Sequence, residues 1–200
     1  MVVGIDEAGR GPLAGVVVAC ALALRKKPSF KVRDSKALSQ VSREEIFSWL
    51  SSNALFCVDI ATVDEIDNFN ILEATLLAFN RAIKGLIDKS PRHAKAKFIV
   101  DGTIFRTDFD LNYQCIKGAD KKIAEVSCAS VMAKVARDHL MNSLDFLCPE
   151  WNFSKHKGYP TPEHFSLIKK YSLTPFHRRS FSPCRTQMIT DEKQTIADKG

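Results

Sequence analysis

The chain has 200 residues, 45% of them hydrophobic and 26% charged, a composition that excludes a fibrous repeat and wholesale disorder. This length favours one domain with an extension, and we expect a domain over residues 1–185 and a polar tail over residues 186–200. The formal net charge of +6 favours a polyanionic partner but does not by itself establish one.

The six cysteines form no C-x-x-C pair, which predicts free thiols in a reducing compartment rather than a structural zinc site. The longest apolar run, residues 14–24, is too short to cross a bilayer, and the first residues lack the features of a signal peptide. We therefore expect a cytoplasmic protein without a membrane partner.

Apolar and β-branched runs predict five strands, and helical spacing of apolar residues between and after them predicts four helices. The strands are expected at residues 2–6, 13–24, 55–62, 97–101 and 111–117. The helices are expected at residues 43–52, 70–87, from after 120 to about 147, and 162–171, with Ser42, Asn70 and Thr161 as the caps of the first, second and fourth. Strands and helices in this order, without an internal repeat, predict an α/β fold.

Acidic side chains stand at the ends of two predicted strands. Asp6 and Glu7 end the first strand, and Asp101 ends the fourth. Asp138 on the long helix is a further carboxylate that the fold can bring to the same place. Converging carboxylates repel one another unless a cation lies between them, and oxygen ligands of this kind suit magnesium or manganese. Taken singly, Asp101 can equally be a turn residue, and Asp138 can simply pair with Lys134 one turn earlier.

A glycine-rich loop, residues 9–15, follows the first pair of carboxylates. It lacks the G-x-G-x-x-G spacing and leads into an apolar run rather than a helix, so a dinucleotide cradle is disfavoured.

These motifs together resemble the bacterial-type ribonuclease HII family, in the family's order and over nearly the whole chain to about residue 185. They read GIDEAGRGPLAG (4–15), DSKALS (34–39), EIDNFNILEATLLA (65–78), VDG (100–102), SCASVMAKVARD (127–138), HKGYPTPEH (156–164) and HRRSF (177–181). The resemblance implies a ribonuclease H-like fold, a mixed five-stranded sheet flanked by helices with a helical C-terminal part. It also implies a metal-dependent endonuclease, expected to be a monomer, that hydrolyses RNA in RNA/DNA hybrids. Such an enzyme cuts 5' of single ribonucleotides in duplex DNA, leaving 3'-hydroxyl and 5'-phosphate ends.

The resemblance also assigns residues. The catalytic and metal-binding set is Asp6, Glu7, Asp101 and Asp138. They would hold divalent metal, Mn²⁺ or Mg²⁺, with two ions during catalysis. The substrate-binding set is Gly9, Arg10, Gly11, Ser35, Lys36, Tyr159, Arg178 and Arg179. In this set the glycine loop would sense the 2'-hydroxyl, Tyr159 would pack on the sugar, and the remaining residues would contact phosphates. Tyr159 can also be a half-buried loop residue, and the basic residues can also be ordinary surface charge.

One segment departs from the family pattern. The expected Lys-Gly-Asp reads Lys117-Gly118-Ala119-Asp120, one residue longer, so no role is assigned to Asp120. The rival interpretations are a non-catalytic nucleic-acid-binding module, in which the acids are structural caps, and a nucleotide-binding protein of unrelated chemistry.

Overall fold

The computed structural model describes residues 1–29 and 38–187, and within them five strands form one mixed sheet. The strands are β1 Val2–Ala8, β2 Val17–Leu24, β3 Ala54–Ala61, β4 Lys97–Asp101 and β5 Asn112–Ile116, in the order β3-β2-β1-β4-β5. β2 is antiparallel to both β1 and β3, whereas β1, β4 and β5 run parallel. The predicted α/β fold with a mixed five-stranded sheet is thus confirmed.

Helices cover both faces of this sheet and continue into the C-terminal part. They are α1 Gln40–Asn53, α2 Val63–Lys89, α3 Ala124–Leu147, α4 Phe153–His156 and α5 Pro162–Tyr171. One hydrophobic core lies between α2 and the sheet, and a second lies between the other face and the pair α1 and α3. A third apolar cluster, including Trp151 and Phe153, joins the C-terminal part to the end of α3. Within the described part of the chain, no helix is long and apolar enough to cross a membrane.

Two helix starts differ from the sequence prediction. α1 is capped by Ser39, whose hydroxyl accepts the N–H of Ser42, so Ser42 lies inside the helix. α2 begins at Val63 with a capping box between Thr62 and Glu65, ahead of the predicted start. Asn70 is still a cap, because its side chain accepts the N–H groups of the next turn at a kink where its φ is 70°.

β2 is shorter than predicted because residues 13–16 hydrogen bond with the C-terminal part instead of the sheet. The N–H of Leu13 donates to the carbonyl of Gly158, and the N–H of Gly15 donates to that of Phe176. Apolar composition alone cannot distinguish such a buried segment from a strand.

Gly4 in the middle of β1 allows α3 to lie close to the sheet. A Cβ atom at this position would fall 2.2 Å from the backbone carbonyl carbon of Glu125 at the start of α3. This close approach brings the acidic end of β1 next to the side chains of α3.

Candidate active site

The register of β1 and β4 brings together two of the predicted acidic residues. Ile5 pairs with Val100 in the parallel ladder, so the next residues, Asp6 near the end of β1 and Asp101 at the end of β4, are neighbours. Glu7 is the next residue of β1, which ends at Ala8 and so runs two residues past its predicted end. The strand ends thus place three carboxylates in one cavity, as the sequence predicts.

Asp6 is the most enclosed of these carboxylates, with 5% of its surface exposed. Its Oδ1 accepts the N–H of Glu7 at 2.8 Å, and the Ser130 hydroxyl of α3 donates a further hydrogen bond to its side chain. Burial, together with repulsion from Glu7 and to a smaller extent from Asp101, raises the pKa of Asp6 well above its ordinary value. A bound cation would relieve this repulsion, so the donor set chemically fits a divalent metal.

Asp101 and Glu7 already have local partners. Oδ1 of Asp101 accepts the N–H of Ala119 at 2.7 Å, which fixes the carboxylate at the strand end. Glu7 lies 3.7 Å from the guanidinium of Arg10, a distance typical of a loose ion pair. Within residues 1–29 and 38–187, no three His, Cys, Asp or Glu side chains are already arranged to hold a metal ion.

Asp138 is not among the residues that line the cavity, but it forms an ion pair with Lys134, which is. Lys134 Nζ lies 2.7 Å from Asp138 Oδ1 on the same helix, which is the ion pair considered as the alternative for Asp138. Lys134 itself lines the cavity. The role of Asp138 as a metal ligand therefore remains a prediction, and it requires Asp138 to exchange the Lys134 ammonium for a metal ion.

The cavity has a volume of about 440 Å³ and is lined by both the acids and the glycine loop. Its walls are Asp6, Glu7, Ala8, Gly9, Arg10, Gly11, Asp101, Asp120, Ser130, Lys134 and Tyr159. Besides Ala8, three of these residues were not assigned a role from the sequence. Ser130 was not singled out, Lys134 was considered only as a partner for Asp138, and Asp120 was given no role because of the extra residue before it. Motif spacing gives no signal for them, because they join the site only through the approach of α3 and the turn at residues 119–121.

The structure corrects the prediction for Arg178, which was expected to contact phosphate. Its side chain is fully buried, and its guanidinium donates to backbone carbonyl oxygens of the glycine loop, including those of Gly9 at 2.6 Å and Pro12 at 2.8 Å. The physical reason is that residues 177–178 pair with Leu13 and Ala14, which turns the Arg178 side chain inward beneath the loop. Arg178 therefore holds the loop and has no surface from which to contact a substrate.

Arg179 lies next to Arg178 but is exposed. Its backbone N–H donates to Asp67 Oδ2 at 2.9 Å, which fixes the chain at this point and leaves the side chain in solvent. Its contact with phosphate stays a prediction. Ser35 and Lys36 lie outside the described residues.

Tyr159 projects over the same cavity and is 40% exposed. Lys134 Nζ lies 5.9 Å from the centre of its ring, and the guanidinium carbon of Arg137 lies 6.0 Å from it. Its backbone is held at both ends, with the N–H donated to the His156 carbonyl and the carbonyl hydrogen bonded to the His164 ring. An exposed ring on a fixed backbone suits contact with a ligand.

Comparisons with known proteins identify the family and agree with this fold. The family model described as ribonuclease HII matches residues 3–184. The chain is 42% identical over 193 residues to a ribonuclease HII of Chromobacterium violaceum, covering 96% of this chain and 95% of that one. It is 43% identical over 180 residues to a ribonuclease HII of Clostridioides difficile, covering 89% of this chain and 68% of that one.

Solved structures give the same result. The ribonuclease H2 of Pyrococcus horikoshii superposes with a TM-score of 0.75 at 26% identity, covering 96% of this chain and 99% of that one. Bst-RNase HIII in complex with Mn²⁺ superposes with a TM-score of 0.74 at 17% identity, covering 96% of this chain and 70% of that one, and this likeness shows the fold alone.

The family model and the relatives define an endoribonuclease of the ribonuclease H class. Within that class, the chain belongs to the ribonuclease HII family.

Proposed function

We propose that this protein hydrolyses the RNA strand of RNA/DNA hybrids and cuts 5' of a single ribonucleotide embedded in duplex DNA, leaving 3'-hydroxyl and 5'-phosphate ends. The observation that carries the proposal is the shared cavity: Asp6, Glu7 and Asp101 line it together with the glycine loop and Tyr159. A module that only binds nucleic acid has no reason to place three carboxylates beside a phosphate path, because they repel the phosphates.

The acidic residues would hold Mn²⁺ or Mg²⁺. Asp6, Glu7 and Asp101 present oxygen ligands to the cavity, and Asp138 would join them once Lys134 moves away. Two bound divalent ions would supply an activated water and neutralise charge on the scissile phosphate. The crowding of Asp6, Glu7 and Asp101 in one cavity supports this proposal, because a divalent cation would relieve the repulsion between them.

The other cavity residues would position the substrate. The backbone of Gly9, Arg10 and Gly11 faces the space beside the carboxylates, and Gly11 leaves room because a Cβ there would meet only the Tyr159 ring, at 3.9 Å. Close approach of a main chain suits the recognition of a single 2'-hydroxyl. The Tyr159 ring would pack on the neighbouring sugar, and exposed Arg179 would contact phosphate with Ser35 and Lys36.

The test is cleavage of a DNA duplex that contains one ribonucleotide, with Mg²⁺ or Mn²⁺ and with an excess of chelator. We expect a single cut on the 5' side of the ribonucleotide with either metal, and no product with chelator. An all-DNA duplex of the same sequence is the control and should remain intact. Binding of the duplex without cleavage in either metal would favour the non-catalytic module and refute the proposal.

A further inference from the structure

Two fully buried arginines, Arg137 of α3 and Arg178, lie beneath the glycine loop. In residues 1–29 and 38–187, all hydrogen bonds of their guanidinium groups go to backbone carbonyl oxygens and none goes to a carboxylate. Arg178 donates to the carbonyls of Gly9, Arg10, Pro12 and Gly15, and Arg137 donates to those of Ala14, Val16 and Lys157. A buried charge is costly unless it is well hydrogen bonded. These seven hydrogen bonds meet that requirement, and they also fix the backbone of the loop.

The planarity of the peptide bond gives these hydrogen bonds a directional effect. In a trans peptide the C=O and the following N–H point in opposite directions. Since Arg178 binds the carbonyls of Gly9 and Arg10, the N–H groups of Arg10 and Gly11 point away from Arg178.

Two other anchored peptides use their N–H groups elsewhere. The N–H of Leu13, which follows the bound Pro12 carbonyl, donates to Gly158 at 2.8 Å, and the N–H of Gly15 donates to Phe176 at 2.8 Å. In the part of the chain that the structure describes, the N–H groups of Arg10 and Gly11 have no acceptor. Both residues line the acidic cavity.

Arg137 reinforces this arrangement through a separate contact with the loop. Gly9 has a φ of 102°, and a Cβ on it would fall 2.2 Å from Arg137 Nε, so the guanidinium packs directly against the loop backbone. The same guanidinium binds the Lys157 carbonyl at 3.0 Å, which ties the loop to the segment that carries Tyr159. Two positive charges behind these peptides also polarise them, and this makes the outward N–H groups better donors.

We propose that Arg178, supported by Arg137, is a positioning residue that turns the N–H groups of Arg10 and Gly11 into the cavity as a preformed donor pair for the ribose 2'-hydroxyl oxygen. This inference rests on the proposed function, since it concerns how the same site would distinguish a ribonucleotide from a deoxyribonucleotide. The arginine itself touches no substrate. Its effect should therefore appear in discrimination rather than in general affinity for duplex.

The first experiment measures dissociation constants for a duplex with one ribonucleotide and for the matched all-DNA duplex, in an Asp101→Asn background that prevents cleavage, with Mn²⁺ present. The preference is the ratio of the two constants. Arg178→Met should lose about tenfold or more of the preference, as expected for lost charge-assisted hydrogen bonds, with the affinity for all-DNA duplex kept within about twofold. Arg178→Lys should recover part of the preference, because one ammonium can bind some of the same carbonyls but lacks the planar fork. Arg92→Met, an exposed arginine outside the cavity, is the matched control and should keep the full preference.

The second experiment needs no substitution at Arg178 and so does not depend on the variant folding. In the Asp101→Asn protein, backbone amide NMR signals of Arg10 and Gly11 should shift on addition of the ribonucleotide duplex and much less with the all-DNA duplex. The amide of Leu13, which has an internal acceptor, should respond equally to both.

The outcomes separate the two proposals. If the Asp101→Asn protein itself shows no ribonucleotide preference and the wild type shows no cleavage, the proposed function fails. If the preference is present but survives in Arg178→Met, or if the Arg10 and Gly11 amides respond equally to the two duplexes, the positioning role fails while the function stands. An equal loss of affinity for both duplexes in Arg178→Met would indicate general disruption and would also overturn the positioning role.

Discussion

His164 Nε2 lies 3.0 Å from His177 Nε2, and both rings are fully buried in the C-terminal part. The partners fix the proton positions. His177 Nδ1 accepts the N–H of Thr174, so its Nε2 carries a proton and donates to His164 Nε2. His164 then carries its proton on Nδ1 and donates to the carbonyl of Tyr159 at 3.0 Å. Two neutral imidazoles thus link the C-terminal segment to the residue that overhangs the cavity.

This pair makes stability depend on pH. Burial is the main cause that lowers the pKa of His164 to about 4 and that of His177 to about 3. In the unfolded chain both would titrate near 6.5, so between about pH 6.5 and 4 the unfolded state binds protons that the folded state does not. The free energy of unfolding should therefore fall as the pH is lowered through this window, by at most about 1.4 kcal/mol per pH unit for each ring. Urea unfolding at pH 7 and at pH 5 measures this change in the free energy of unfolding. Between pH 7 and pH 5, His177→Gln should lose less stability than the wild type. An identical loss in both proteins would show that the His177 ring is not held neutral.

Tyr159 should matter for cleavage through its ring. Tyr159→Ala should lower kcat on the single-ribonucleotide duplex by about a hundredfold, because the substrate loses the surface that positions it. Tyr159→Phe should lose about tenfold or less, since it removes only the hydroxyl and keeps the ring that would pack on the sugar. Tyr171→Ala removes an equally exposed tyrosine from α5 and should cleave at the wild-type rate. A wild-type cleavage rate for Tyr159→Ala would show that the ring only packs within the loop and does not position the substrate.

Asp101→Asn should separate binding from turnover. Asparagine can still accept the N–H of Ala119, so the strand end keeps its shape while a charged ligand is lost. We expect cleavage to fall by about three orders of magnitude or more, with binding of the duplex retained. Asp88→Asn, which breaks only the exposed pair with Lys84, is the control and should be fully active. Substantial cleavage by Asp101→Asn would exclude Asp101 as a metal ligand.

Two glycines should give opposite results on substitution. Gly4→Ala forces a Cβ against the backbone of α3 and should cost about 1–3 kcal/mol or more, visible as a lower Tm. Gly11→Ala meets only the Tyr159 ring at ordinary distance, so its stability should stay within about 0.5 kcal/mol of the wild type. Cleavage by Gly11→Ala should nevertheless fall, because the added methyl group narrows the approach to the loop. A thermally stable Gly4→Ala protein would mean that α3 can shift away from β1 at little cost.

The sequence predicts the strand β4 to the residue and β3 and β5 within one residue at each end, because their apolar runs end at clear turn residues. It cannot predict the true start of β2, since residues 13–16 are as apolar as the strand and differ only in their partners. Asp6, Glu7 and Asp101 are predictable because strand ends place them together. Arg178 and Arg179 are not distinguishable, because nothing local tells which of two adjacent arginines faces inward. That choice depends on carbonyl groups more than 160 residues earlier in the chain.

The hydrogen bond from Arg178 to the Gly9 carbonyl joins residues 169 positions apart. Closing so long a loop costs conformational entropy, and this cost is offset only once the surrounding hydrophobic cores have packed. This contact should therefore be among the last to form during folding. The carboxylates depend on the pairing of β1 with β4, which does not involve the C-terminal part. During refolding, the carboxylates Asp6, Glu7 and Asp101 should therefore come together before Arg178 fixes the glycine-rich loop. The metal-binding and the substrate-binding parts of the site would then form at different times.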